Sequence, residues 1–125
     1  MRGYSHAEII GNLTADPEVR DVGDTKVANF KVAVNRKWRN REGDLQESVD
    51  FFSVVAWSNL AENIEKFLAK GSPVFVAGRL EEDRWEKEGG EKRSKIQIVA
   101  TNVTFLPRPT KNEPENEEEP GEEES

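Results

Sequence analysis

The sequence predicts an all-β domain, a closed barrel of five strands with one helix between the third and fourth strands. Apolar residues alternate with polar ones over long stretches, and turns rich in glycine and aspartate separate those stretches. A single segment shows helical periodicity. Residues 1–109 are long enough to bury one hydrophobic core, so one domain is expected there.

The first half of the body is predicted to hold three strands. A short apolar strand covers residues 7–13, and turns are predicted after it at Asp16-Pro17 and at Val22-Gly23-Asp24. Residues 26–38 alternate between apolar and polar side chains, which predicts a half-buried strand. The third strand covers residues 48–57, and residues 41–44 form the hairpin tip before it.

The second half of the body is predicted to contain the helix and two more strands. Asn59 is expected to cap the helix, with Glu62 completing a capping box, and Gly71 supplies the left-handed residue that ends it. Strands then cover residues 74–85 and 95–106. Three strands, a helix and two strands, in that order, are typical of the OB-fold, so we predict an OB-fold β-barrel with long β-hairpins.

Charge divides the chain near residue 110. The whole chain carries a net charge of -7, which taken alone argues against a nucleic-acid ligand. Residues 110–125 contain eight Glu and one Lys, so they account for all of this charge, and residues 1–109 are neutral overall. This segment has no apolar residues with which to form a core, and we predict that it is a disordered acidic tail.

Several classes of protein are disfavoured by composition. The chain has no Cys and one His, which argues against disulfides, thiol catalysis and zinc sites. It also lacks a phosphate-binding glycine loop and a nucleophile motif, so we expect no catalytic residue, no metal and no cofactor. No stretch resembles a signal peptide or a membrane span, and we expect a cytoplasmic, nucleoid-associated protein without membrane contact.

Aromatic residues among cations form the strongest functional pattern. Trp38 lies within the run Arg36-Lys37-Trp38-Arg39-Asn40-Arg41, and Trp85 lies between Arg84 and Lys87. A Trp ring can stack on an unpaired base while neighbouring cations meet the phosphates. Taken singly, each aromatic residue could instead be buried in the core. Taken together, these residues indicate that the ligand is single-stranded nucleic acid.

The third predicted strand carries aromatic residues on both faces. Phe51 and Trp57 share one face, and Phe52 lies on the other. Such a strand is either buried twice, once by a partner subunit, or it presents one face as a binding platform.

These residues and their surroundings resemble the bacterial-type single-stranded DNA-binding proteins of replication and repair. The resemblance spans residues 2–106 and is carried by the number, order and spacing of short segments, among them Ile10-Gly11-Asn12-Leu13, Val54-Val55-Ala56-Trp57 and Val76-Ala77-Gly78-Arg79-Leu80. It implies an OB-fold, usually a homotetramer, that wraps single-stranded DNA with little sequence preference. It also implies that the first strand, near His6 to Ile10, and Phe52 lie at subunit boundaries.

The resemblance places stacking aromatics at Trp38, Phe51, Trp57 and Trp85, and cations at Arg2, Arg20, Lys70 and Arg84. The predicted DNA-binding set adds the cations of the basic runs and hairpins, namely Arg36, Lys37, Arg39, Arg41, Arg79 and Lys87, with Lys92, Arg93 and Lys95 as further sources of charge.

Two features depart from the family pattern. The acidic run Glu81-Glu82-Asp83 precedes Arg84, which weakens phosphate binding on that strand. The tail ends in Glu124-Ser125 without the hydrophobic tip that docks replication and repair proteins in the family.

We therefore predict a non-enzymatic protein that binds and protects single-stranded DNA in replication, recombination and repair. Two other functions stay open. One is an OB-fold interaction module of the replication machinery, such as a primosome-type dimer. The other is an OB-fold nuclease, which would need a metal-binding carboxylate cluster.

Overall fold

The computed structural model describes residues 2–108, which form a β-barrel with one helix. The elements follow in the order β1 (Ala7–Leu13), β2 (Glu18–Val22), β3 (Thr25–Arg39), β4 (Leu45–Trp57), α1 (Ser58–Phe67), β5 (Pro73–Glu86) and β6 (Lys92–Phe105). Within the described residues, no helix is long and apolar enough to cross a membrane.

Five of the strands close the barrel. They neighbour one another in the order β1, β5, β6, β4 and β3, and β1 also pairs with β3. The contact between β4 and β6 is parallel, whereas β5 and β6 form a long antiparallel hairpin, as do β3 and β4. The helix lies between the third and fourth strands of this barrel, which confirms the OB-fold predicted from the order of elements.

The short strand β2 was not predicted. Turns were expected at Asp16-Pro17 and at Val22-Gly23-Asp24, and between them Glu18–Val22 pairs with Thr25–Asn29 of β3. β2 and β1 pair with the same edge of β3, and β1 does so further along that strand, at Val32 and Ala33. This strand escaped prediction because it is an edge strand of polar sequence, held by backbone hydrogen bonds to β3 rather than by an apolar face.

The core fills the barrel with the side chains that alternate along β3 and β4. Ala28, Phe30 and Val32 are buried, as are Val54 and Ala56 on the neighbouring strand. This confirms the buried face predicted for residues 26–38. Ala61 and Ile64 of α1 are buried in the same core cluster, as is Leu68, the residue after the helix.

The helix begins differently from the prediction. Trp57 occupies the N-cap position, and no side chain makes a capping hydrogen bond, so the capping box expected at Asn59 is wrong. Ser58 has a φ of 62°, which turns the chain sharply from β4 into the helix. Burial of the apolar face of α1, rather than a cap, therefore fixes its position. Gly71, expected to end the helix, has a φ of 88° but lies in a turn beyond Phe67.

Candidate nucleic-acid interface

The strand residues that point away from the core form one continuous outer face. Lys31 of β3 lies opposite Ser53 of β4, Ser53 lies opposite Gln97 of β6, and Gln97 lies opposite Glu81 of β5. Directly paired residues project from the same side of a sheet, so this polar row crosses four strands. The Gln97 side chain donates a hydrogen bond to Glu81 at 3.3 Å.

Two exposed aromatic rings lie on β4 on either side of that polar row. Phe51 is 60% exposed and Trp57 is 45% exposed, and both have the outer-face parity of Ser53. The two residues are six positions apart in the sequence, which is about 20 Å along a strand. Trp85 of β5, which is also exposed, shares the same parity and pairs with Arg93. The outer face thus presents three ring faces on which bases can stack.

The Trp38 side chain projects from the face of the β3–β4 hairpin opposite to the one that carries Phe51 and Trp57. It has the parity of Phe30 and Val32, whose side chains enter the core. The hairpin extends to the pair Arg39–Leu45, and there the ring is exposed rather than buried. The structure therefore does not place Trp38 beside Phe51 and Trp57, although all three belong to the predicted site.

A groove of about 370 Å³ crosses the outer face between the loop after β1 and strand β6. Its lining includes Lys31 and Lys95, together with the hydrogen-bonding side chains of Asn29, Ser53 and Gln97. Lys31 was not among the predicted site residues, although its alternation with buried neighbours already put it on the polar side of β3. Asn29, Ser53 and Gln97 gave no signal, because single polar residues on strands are common.

Four of the predicted cations are paired with carboxylates, and one of them is Arg93, whose Nη2 lies 2.9 Å from Glu91. Arg36 Nε lies 2.8 Å from Asp50 Oδ2, Arg79 Nη2 lies 3.2 Å from Glu81, and Arg84 Nε lies 3.0 Å from Glu82. The hydrogen bond that Arg36 donates to Asp50 raises the pKa of Arg36, and the hydrogen bond that Arg84 donates to Glu82 lowers the pKa of Glu82. Both shifts favour the charged forms near neutral pH, so a carboxylate offsets part of the charge of Arg36 and of Arg84.

The remaining predicted cations make no ion pair within residues 2–108. They are Arg2, Arg20, Lys37, Arg39, Arg41, Lys70, Lys87, Lys92 and Lys95. Arg20 of β2 lies opposite Val27, which lies opposite Trp57, so this cation belongs to the outer face near that ring. Arg39 Nη1 donates to the Gly43 carbonyl at 2.8 Å, at the tip of the β3–β4 hairpin.

The other predicted cations lie at the margins of the barrel. Lys70 follows α1, and its backbone N–H donates to Asp16 in the loop that borders the groove. Lys87 lies in the β5–β6 turn, and Arg2 precedes β1. Nowhere in the described part of the chain do three His, Asp or Glu side chains lie close enough to hold a metal ion.

Sequence comparison finds similarity to proteins that are all described as single-strand or single-stranded DNA-binding proteins. A profile described as "Single-strand binding protein family" matches residues 4–106. A single-stranded DNA-binding protein of Aquifex aeolicus is 43% identical over 112 residues, covering 89% of this chain and 76% of the relative. One of Thermotoga maritima is 39% identical over 121 residues, covering 95% of this chain and 86% of the relative.

Structural comparison gives similar results. A chain of the Plasmodium falciparum SSB complex with ssDNA superposes with a TM-score of 0.79 at 26% identity, covering 86% of this chain and 98% of that chain. The small single-stranded DNA-binding protein of Streptomyces coelicolor gives a TM-score of 0.69 at 27% identity, covering 84% and 96%.

Proposed function

The chain belongs to the single-strand binding protein family and binds single-stranded DNA, and we propose that the outer face of the barrel carries this binding. The observation that supports this site is the exposure of Phe51 within β4 and of Trp57 at its end, on either side of a groove that contains Lys31. The role of the family in general is DNA replication and repair.

The mechanism we propose combines stacking with phosphate contacts. Bases stack on Phe51, Trp57 and Trp85, and each contact contributes about 1–3 kcal/mol. Because every base has a π face, such stacking gives little sequence preference. Arg20, Lys31 and Lys95 are placed to meet the phosphates on this face. Trp38 extends the site on the other side of the hairpin, together with the cations around its tip, which are Lys37, Arg39 and Arg41.

We also propose that the protein acts as an oligomer, with a tetramer expected and a dimer as the alternative. Exposed apolar residues on and beside β1 support this proposal, since Tyr4 and Ile10 are among the most exposed large side chains, and Phe52 is partly exposed on β4. Light scattering measures the subunit number directly. A dimer without DNA affinity would favour the alternative of a protein-bridging module.

Two further proposals follow from family membership. The protein performs no chemistry on DNA, so labelled oligonucleotide incubated with Mg²⁺ or Ca²⁺ should stay intact. It works with chromosomal DNA in the cytoplasm, where replication and repair proteins are its further partners. Contact with them through the acidic tail was predicted for residues 110–125, which lie outside the described residues.

Titration with oligo-dT tests the proposed function. The chain has three Trp, all in the proposed site, so bound DNA should quench the intrinsic fluorescence strongly at low salt. Double-stranded DNA of the same length serves as the control, because its bases are not free to stack on the rings. The absence of quenching by oligo-dT at low salt would overturn the proposal.

A further inference from the structure

One predicted phosphate-binding cation contacts an aromatic ring of the site. Arg36 and Trp38 lie two residues apart on the same face of β3, and Arg36 Cζ lies 5.0 Å from the centre of the Trp38 ring. This distance is within the range of a cation–π contact. One face of the Trp38 indole is therefore covered by a guanidinium group.

Asp50 holds that guanidinium in place. Asp50 is on β4, where it pairs with Val34 of β3. It is therefore diagonal to Arg36 and on the same face of the hairpin. Arg36 Nε donates to Asp50 Oδ2 at 2.8 Å, and Nη2 approaches Oδ1 at 3.4 Å. A two-pronged contact of this kind orients the guanidinium plane as well as neutralising its charge.

We propose that Asp50 is a positioning residue for DNA binding. It holds Arg36 against one face of Trp38, so that only the opposite face of the indole accepts a base. Arg36 then serves the ring rather than a phosphate, because Asp50 already neutralises its charge. This inference rests on the proposed function, since it assigns one part of the single-stranded DNA site.

The second hairpin provides a contrast. Arg84 is also paired with a carboxylate, that of Glu82, but it has the opposite parity to Trp85. Among the described residues, no cation lies over the Trp85 ring, and Arg36 over Trp38 is the cation–π pair of the structure. Trp85 is therefore a matched internal reference for the accessibility of Trp38.

A measurement on the free protein tests the covered ring face. In W57F/W85F, Trp38 is the sole Trp, and acrylamide quenches its fluorescence by collision. Adding R36Q/D50N leaves the net charge unchanged and opens the second face, so the quenching constant should rise toward about twofold. In W38F/W57F, where Trp85 is the sole Trp, the same pair of substitutions should change nothing. An unchanged constant for Trp38 would overturn the inference.

DNA binding tests the consequence. Without Arg36 the Trp38 ring must be ordered on binding, so R36Q/D50N should weaken oligo-dT binding by about two- to tenfold, with an unchanged salt dependence. D50N alone frees the Arg36 charge for a phosphate, so the slope of log K against log salt should steepen by about 0.7. The control is K26Q/D21N, which removes an ion pair of 3.5 Å between β3 and β2, together with the contact of Lys26 to Glu65 of α1, and should bind like the wild type.

The two failures are distinguishable. If the wild type binds oligo-dT and both R36Q/D50N and D50N match it in affinity and salt slope, the positioning role is wrong while the proposed function stands. If the wild type does not bind, the proposed function fails and the inference with it. Circular dichroism of each variant should give the wild-type spectrum, because Arg36 and Asp50 lie outside the core.

Discussion

At the scale of single residues, two phenylalanines of similar exposure test whether base stacking requires the proposed site or only an exposed ring. Phe51 is 60% exposed on the outer face of β4, and Phe67 is 65% exposed on α1, where its ring packs against Phe105. Only Phe51 lies in the proposed site. Replacing Phe51 with Ala should weaken oligo-dT binding by about 1–3 kcal/mol, roughly 5- to 150-fold, because one stacking platform is lost.

Fluorescence titration at fixed salt measures this effect, and F67A is the matched control that should bind like the wild type. Neither substitution opens the core, so both variants should keep the native fold. Equal affinity of F51A and F67A for oligo-dT would remove Phe51 from the site.

A second prediction at the residue scale concerns the stability of the protein at Gly78, where the fold leaves no room for a side chain. A Cβ atom at Gly78 would lie 2.1 Å from the carbonyl oxygen of Val99, where β5 and β6 pair beside an irregularity in their register. Backbone atoms must shift to admit it, so G78A should destabilise the protein by about 1–3 kcal/mol or more. Urea unfolding measures the change.

Gly3 is the control, because nothing lies within 4 Å of a Cβ placed there. G3A should therefore unfold at the wild-type urea concentration. A wild-type midpoint for G78A would show that the β5–β6 pairing adjusts at no cost.

At the scale of elements, the sequence predicted best where a periodic pattern is long. The alternation over β3 was sufficient to identify its buried face, because Ala28, Phe30 and Val32 all pack in the core of the barrel. The short strand β2 escaped prediction because hydrogen bonding to an edge leaves little trace in its side chains. The start of α1 escaped because Ser58 turns the chain through a positive φ, which that sequence does not indicate.

The candidate site was predicted by residue type but not by arrangement. Parity along β3 and β4 separates Trp38 from Phe51 and Trp57, and this needs the register of the hairpin. The ion pairs of Arg36 and Arg84 likewise depend on which carboxylates lie across or along the strands. Residue composition thus predicts the chemistry of the ligand, whereas pairing decides which charges and rings can act together.

The two long hairpins should therefore differ in their contribution to phosphate binding. K37Q removes a cation without an ion-pair partner in residues 2–108, so the salt slope of oligo-dT binding should become shallower by about 0.7. R84Q removes a cation that Glu82 neutralises, so its slope should change much less. Affinities measured across a salt series distinguish these outcomes.

The pH dependence of the same contrast has a definite sign. Arg84 lowers the pKa of Glu82 below its ordinary value near 4.5, so the carboxylate stays ionised and paired at every pH above that value. The pair is lost only as the pH falls through the lowered pKa. R84Q should thus keep its weak effect from about pH 5 to 8. Equal slope changes for K37Q and R84Q would mean that the pairing does not restrain Arg84.

For the whole molecule, charge is distributed so that a net acidic protein can still bind DNA. The segment 110–125 carries the net charge of -7, and the body balances its cations and carboxylates. Several of those carboxylates are paired with Arg on β5 and β6, while the β3–β4 hairpin tip keeps cations without ion pairs in the described residues. The average charge of the chain is therefore a poor guide to the potential that DNA meets.

Deleting residues 110–125 tests the effect of the tail charge on DNA binding. Eight carboxylates attached to the body compete with phosphates for its cations and repel DNA, so the shortened protein should bind oligo-dT more tightly at low salt. Salt screens such interactions within about 10 Å at 0.1 M and 3 Å at 1 M, so the difference should shrink as salt rises. A full-length variant with all eight Glu changed to Gln separates charge from chain length, and it should match the deletion. Equal affinity of the deletion and the wild type at low salt would show that the tail charge does not reach the DNA site.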